Sequence, residues 1–266
     1  MSTATITVSQ RSSGLRDAVA SEWTKLWTVR SSWLNLVAGV ALTGLLAMQF
    51  GFSTAYENEH LAPGEVAEKS AVGGVAVSAT VIAQVIVAAF AMLMVTSEYS
   101  TGSIRSTLQW TPVRRNVVLA KAIVLAPVLF AYALGLGVIA AIVGGVTMGE
   151  WADWDLAALV VDLLSVAIYL TLAGLLTAGI AFVIKSTAGT LTAAFLLLIV
   201  IPMMLAQSNI TPLVWTAALL PGGAGQNYLS GSTDPLSPTT SLLVLLTWAS
   251  SGLWAGLKAL QHRDAA

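Results

Sequence analysis

The chain has 266 residues, 56% of them apolar and only 9% charged, with a mean hydropathy of +0.82 and a net charge of −1. A charged fraction so far below the roughly 25% of soluble domains excludes a water-soluble fold, and near-neutrality argues against nucleic acid as a partner. Cysteine is absent, which removes disulfides and thiolate chemistry, and two isolated histidines, His60 and His262, make no metal site unaided.

In chain order, the first expected element is a helix over Gly14 to Arg30. At about 100° per residue, Leu15, Ala18, Val19, Trp23, Leu26, Trp27 and Val29 fall on one half and Asp17, Ser21, Thr24, Lys25 and Thr28 on the other. This is the pattern of an amphipathic helix lying in a membrane interface, a depth that suits tryptophan. Glu22 breaks the pattern, because a carboxylate amid the apolar arc is costly unless partnered. Lys25 three residues on, snorkelling to water, or a tertiary pair with Arg105 or Arg114 of the next inner loop would each relieve it.

Six apolar spans follow, at about residues 33–52, 72–96, 117–148, 156–184, 188–206 and 240–257, each near or above the roughly 17 to 25 residues that cross a bilayer. The third and fourth are long enough to tilt or project, and Pro202 is expected to bend the fifth. No cleavable signal segment is expected ahead of them, since the first apolar run starts too far in and runs too long. The organisation reads as a tail and surface helix over 1–31, a single membrane domain over 32–258, and a short tail over 259–266. Its class is an all-α polytopic membrane protein with six transmembrane helices.

Arg11, Arg16, Lys25, Arg30, Arg105, Arg114, Arg115, Lys121, Lys185, Lys258 and Arg263 lie in the tails and even connections, and only Lys69 lies in the odd ones. By the positive-inside rule, both termini and the even connections are cytoplasmic.

The inner connection from Ser97 to Asn116 is the most informative short segment. Gly102 should end one helix, and Ser103 should cap a short second one with Ile104 and Leu108 on one face. Thr111-Pro112 should then start span three. Arg114 and Arg115 fall at a helix N-terminus, where the dipole disfavours cations by a few tenths of a kcal/mol. Anionic lipid or a protein partner must favour them instead.

Two of these segments carry a family resemblance. Glu22-Trp23-Thr24-Lys25-Leu26 with Arg30, and Thr96 to Arg105 followed by Arg114-Arg115 ahead of Lys121, resemble the permease subunits of bacterial ATP-binding-cassette exporters of the second type. The resemblance extends to the whole six-span plan, with Gly102-Ser103 where relatives commonly have Gly-Thr. It implies that the surface helix is an elbow helix carrying Glu22, Trp23, Lys25, Leu26 and Arg30. It also implies that the inner loop holds a coupling helix that docks on a separate nucleotide-binding ATPase through Glu98, Tyr99, Thr101, Gly102, Ser103, Arg105, Arg114 and Arg115. A second permease copy or a paralogue, membrane lipid, and a bacterial plasma membrane complete the implied setting. ATP and Mg are then expected on the partner, with no cofactor bound by this chain. Consistently, no glycine is followed directly by lysine, so the phosphate-binding loop pattern is missing.

Polar residues inside the spans are few. Asp162 lies about two turns inside the outer end of span four, where a water-exposed or hydrogen-bonded position is the first reading and a proton relay the second. Asn35, Gln49, Gln84, Tyr132 and Tyr169 occur singly, for interhelical hydrogen bonding or, for Gln84, Asp162 and Pro202, a cargo path. Glycines such as Gly135, Gly137, Gly144, Gly145, Gly174 and Gly179 read as close-packing positions.

Between spans five and six, Thr211-Pro212 should open one short outer helix over Leu213 to Leu220, stopped by Pro221-Gly222-Gly223. The sequon Asn209-Ile210-Thr211 is given no role.

An intramembrane enzyme would need clustered nucleophiles, acids or histidines, and an ion-coupled secondary carrier would need repeats, broken helices and a coupling site, toward which only Pro202 and Asp162 point. The expected function is ATP-driven export of an amphiphilic or hydrophobic compound, such as a drug, antibiotic, lipid or peptide. The secondary carrier is the alternative.

Overall fold

The computed structural model describes residues 14–61, 66–208 and 210–262. Arg11, Glu65, Arg263 and Asn209 of the sequon lie outside them. The described chain is all-helical apart from a parallel pair of two-residue strands, β1 (Ser70–Ala71) and β2 (Ala152–Asp153).

Helix α1 (Leu15–Thr28) meets α2 (Arg30–Glu59) at Val29, whose extended backbone makes the elbow. Then come α3 (Val72–Ser100), the short α4 (Ile104–Trp110), α5 (Arg114–Met148) and α6 (Leu156–Ile184). The fifth apolar helix is composite, with α7 (Thr187–Phe195), a π-helical turn (Leu196–Val200) and α8 (Ile201–Ala206). Two short helices, α9 (Thr211–Leu219) and α10 (Pro221–Ser230), precede α11 (Pro238–His262). Six helices are thus long and apolar enough to cross a membrane.

Where local signals differ from the outcome, the cause is local. Asp155 caps α6 by accepting from the backbone N–H groups of Ala157 and Ala158, the usual service of an aspartate there. Ser103 does not cap α4 with its side chain, and its hydroxyl lies 3.0 Å from that of Thr101 instead. Helix α5 starts at Arg114 behind Val113, two residues beyond the Thr111-Pro112 signal. In the connection before α11, Pro221 opens a second helix as well as closing the first. Its fixed φ and missing N–H suit a first helical position.

Helix α3 is the hub. Of its most apolar stretch, 67% is buried, against 22% for α2, the fifth span and α11. Its neighbours are α5, α6 and α2, and the core runs along Val87, Phe90, Leu125, Leu129, Leu170 and Phe182. On the other side of α6, Gly179 and Gly252 let α6 and α11 touch backbone to backbone; a Cβ on Gly179 would collide with the Gly252 carbonyl carbon. With no hydrophobic drive between helices in lipid, such close approach supplies the packing.

The π-turn also has a stated cause. Pro202 has no N–H to offer the Leu198 carbonyl, so the regular ladder fails there. Helix α10 fills the gap with Gly222, where a Cβ would collide with the Leu198 carbonyl oxygen.

Candidate functional site

At the end of the bundle where α1 packs, each of three helices places one charged residue in a stripe that is otherwise apolar. In α1 the stripe is Ala18, Glu22 and Leu26, four residues apart and all buried. In α5 it is Val117, Lys121 and Leu125; in α3 Glu98 follows Met94 by one turn. These spacings bring i and i+4 residues to one helix face, so packing the apolar neighbours forces the charges together.

They form a closed ring. Lys121, 2% exposed, donates to Glu22 Oε2 at 2.5 Å, Glu98 Oε1 at 2.8 Å and the Met94 carbonyl at 2.9 Å. Lys25 donates to Glu22 Oε1 at 2.7 Å, Glu98 Oε1 at 3.0 Å and Thr107 Oγ1 at 3.2 Å. Each ammonium has three hydrogens, and each is matched to three acceptors. Thr107 closes the arrangement by donating to Glu98 Oε2 at 3.4 Å. Two anions alternate with two cations across α1, α3 and α5, with α4 joined through Thr107, and the formal charge is zero.

Electrostatically, burial alone would lower the Lys25 pKa, but Glu22 and Glu98 outweigh it and hold the ammonium above the ordinary lysine range. A buried charge cluster adds little stability relative to an apolar core of equal volume. Removing one member costs about 3 to 5 kcal/mol because the others are left uncompensated. The ring therefore fixes how α1, α3, α4 and α5 meet more than it adds to the stability of the bundle.

The sequence expectation for Glu22 is corrected in its tertiary partner. Glu22 pairs locally with Lys25 and across space with Lys121, in place of Arg105 or Arg114. Arg105 is exposed on α4. Arg114 donates to the carbonyls of Leu260 at 2.6 Å and Gln261 at 3.1 Å. Those are among the last carbonyls of α11, which lack helical partners and carry the negative end of its dipole. The C-terminal end of α11 in the same chain thus offsets the unfavourable position of Arg114 at the start of α5. Lys121 is the residue that sequence reading passed over as a site. Its signal was a lysine within the apolar α5 stripe, four residues from both Val117 and Leu125.

The remaining coupling-loop residues crown the ring. Thr101, Gly102 and Ser103 are exposed at the turn between α3 and α4, and Gly102 has φ +73°, a left-handed conformation glycine adopts without Cβ strain. Ile104 is buried and Leu108 packs on the core, so α4 turns Arg105, Gln109 and Trp110 outward. Tyr99 is half-buried, with the Lys185 ammonium 5.4 Å from its ring centroid. On α1, Leu26 is fully buried while Trp23 stacks edge-on to Trp27, and Trp27 leans on Trp33 of α2, with centroids 5.6 and 5.5 Å apart. All three indoles are partly exposed, and Arg30 beside them is exposed.

The polar residues of the spans lie elsewhere. Asp162 is half-buried against Gly73 at the far end of α3. Tyr132 donates to the Asn35 carbonyl of α2 at 3.0 Å, and Tyr169 donates to Gln84 at 2.5 Å. Pro202 is buried beside the π-turn.

Residues 18–201, more than half of the chain, match a family model described as ABC-2 family transporter protein. The match begins inside α1, ends just past the π-turn and takes in every member of the charge ring. No curated protein matches the chain. The chain is therefore a member of the ABC-2 transporter family, a multi-pass membrane permease of the kind that works with an ATPase partner and is not itself the ATPase.

Proposed function

We propose that this permease exports an amphiphilic or hydrophobic compound across a bacterial plasma membrane, driven by ATP hydrolysis on a separate subunit that docks at the α1 end. The observation that carries the reading is the ring of Glu22, Lys25, Glu98 and Lys121, buried at every member but Lys25. It joins the exposed α4 to the hub helix α3, so a displacement of α4 reaches the spans without being absorbed in a flexible loop. The basic residues clustered at this end support a cytoplasmic position for it and for both termini. A second permease copy, or a paralogue, would cover the apolar faces left exposed on α2, the fifth span and α11. An ion-coupled carrier is disfavoured, because Asp162 is half-buried in the first two turns of α6 and such carriers place their coupling group near the midplane.

The test is reconstitution of the chain with the ATPase that co-purifies with it. Arg105→Glu with Gln109→Lys on the exposed face of α4 should weaken ATPase binding and abolish stimulation of hydrolysis, with thermal melting unchanged. Full stimulation in that variant refutes docking at α4, and cargo movement without any ATPase refutes ATP-driven export.

A further inference from the structure

Near the middle of the bundle, a cavity of about 80 Å³ opens between α3, α6, the π-turn and α10. Its apolar walls are Val77, Val81, Leu198 and Leu229, and no Asp, Glu, Lys, Arg or His lines it. Thr80, Gln84, Tyr169 and Gln226 also line it; Gln226 is exposed on α10, whereas Gln84 is only 6% exposed. Tyr169, itself buried, fixes the carboxamide by donating its hydroxyl to Gln84 Oε1 at 2.5 Å. With Oε1 bonded to the Tyr169 hydroxyl, the NH₂ group is turned away from Tyr169. Among the described residues, Gln84 Nε2 has no acceptor, and it is not one of the polar atoms sealed inside the protein. Thr80, the neighbouring hydroxyl on the wall, donates to the Ala76 carbonyl of its own helix. Gln84 and Leu198 also border a smaller, wholly apolar gap of about 10 Å³ toward Phe195, in the same seam between α3 and the fifth span.

We infer that Gln84 is a hydrogen-bond donor site for the cargo, taking one uncharged acceptor oxygen, a ketone, ester, amide or hydroxyl group, on an otherwise apolar molecule. The inference rests on the export reading for the word cargo. It deepens that reading by naming the chemistry recognised.

Three physical points carry it. First, a free amide N–H₂ in a hydrocarbon environment is costly unless an acceptor reaches it. Second, the depth excludes a lipid headgroup or its ester carbonyls. At about 1.5 Å per residue, Gln84 lies about 18 Å along the axis from Val72 and about 24 Å from Ser100, well inside a hydrocarbon core about 30 Å thick. Third, the uncharged lining gives no counter-ion, so an ionised cargo group would enter uncompensated. The volume admits one functional group and not a whole drug-sized molecule, for which several hundred Å³ is usual. The Gln84 cavity is therefore a subsite that orients cargo whose apolar bulk lies along the seam.

Benzophenone, an apolar ketone and a photo-crosslinker, tests this directly. The full chain is reconstituted in phospholipid vesicles, irradiated with benzophenone, and mapped by peptide mass spectrometry. Labelling is expected on α3 and α10 around Val81 and Leu229. Phenyl benzoate, which has a carbonyl, should suppress it about tenfold more effectively than bibenzyl, a similar diphenyl hydrocarbon without oxygen. Because that comparison uses the unaltered chain, it holds even if a variant misfolds. Gln84→Leu should lower the labelling about tenfold, and Tyr169→Phe should lower it less. Equal suppression by bibenzyl, undiminished labelling of Gln84→Leu, or no labelling around the cavity would overturn the donor site. The experiment needs no ATPase, so its outcome is separable from export. Carbonyl-selective labelling without ATP-driven movement leaves the site standing and refutes export, whereas movement without carbonyl preference refutes only the site.

Discussion

Replacing Lys121 with methionine keeps the length and most of the volume of the side chain while removing its charge and three hydrogen bonds, to Glu22, Glu98 and the Met94 carbonyl. Two carboxylates, on residues 3% and 6% exposed, are then left sharing Lys25, whose side chain is 34% exposed. Removing one member of a buried ion pair costs about 3 to 5 kcal/mol. At roughly 2 to 4 °C per kcal/mol for a chain of about this size, the melting temperature should fall on the order of 10 °C. A second variant decides whether charge or packing is responsible. Lys121→Met with Glu22→Gln again leaves equal numbers of cations and anions, in Lys25 and Glu98. The double variant should thus be destabilised by less than the sum of the singles, with a coupling of about 2 kcal/mol between neighbours in one network. The assay is thermal melting of the purified chain in lipid nanodiscs, with ATPase binding measured alongside. A loss below about 1 kcal/mol for Lys121→Met, the range of an exposed pair, or strict additivity in the cycle, would refute the claim that the ring fixes the α1 end.

Lys25 gives a pH prediction. Its folded pKa lies above the ordinary 10.5, so its contribution is present below that value and is lost as pH rises through the raised one. Melting of the unaltered chain should fall above pH 10.5 more steeply than melting of Lys25→Met. Gly102→Val forces a branched residue into φ +73°. It should cost about 1 to 2 kcal/mol locally, with ATPase coupling lost before global stability because the turn is exposed, as joint melting and hydrolysis measurements would reveal. Single cysteines at positions 59, 153 and 234 should react with an impermeant maleimide on intact cells. Those at 12, 109 and 264 should not, and labelling at 109 would reverse the proposed orientation.

The six apolar helices, the surface helix and the short α4 were legible because each follows from periodicity within one segment: apolar runs of bilayer length, an amphipathic stripe from Leu15 to Val29, and a glycine at the α3–α4 turn. The pairing of Glu22 was only half legible. Lys25 is visible at three residues' separation, but Lys121 lies 99 residues away, and nothing local distinguishes it from Arg105 or Arg114 as a counter-charge. Burial decides between them. Lys121 occupies the helix face that must pack, while Arg114 sits where it reaches the end of α11. The π-turn escaped for a similar reason. Pro202 announces a broken ladder, but only the arrival of Gly222 from a later helix determines how the freed Leu198 carbonyl is covered.

Helix α3 connects these places. At one end its Glu98 is held in the ring, and one turn before the loop Thr96 accepts a hydrogen bond from Thr187, the first residue of α7, at 3.0 Å. Lys185, held at φ +60° in the tight connection between α6 and α7, brings its ammonium over Tyr99. The end of α3 is therefore tied both to α4 and to the start of the fifth span. Near its middle the same helix carries Gln84, which faces that span across the cavity seam. A tilt of α3 driven from α4 would move the two sides of the seam against each other at the π-turn, where the missing Pro202 N–H makes the backbone ladder weakest. The fifth span thus has its break beside the one buried amide with an uncommitted donor among the polar groups described above. This is where a change in α3 would alter the fit of a bound group with the least disturbance to the rest of the bundle.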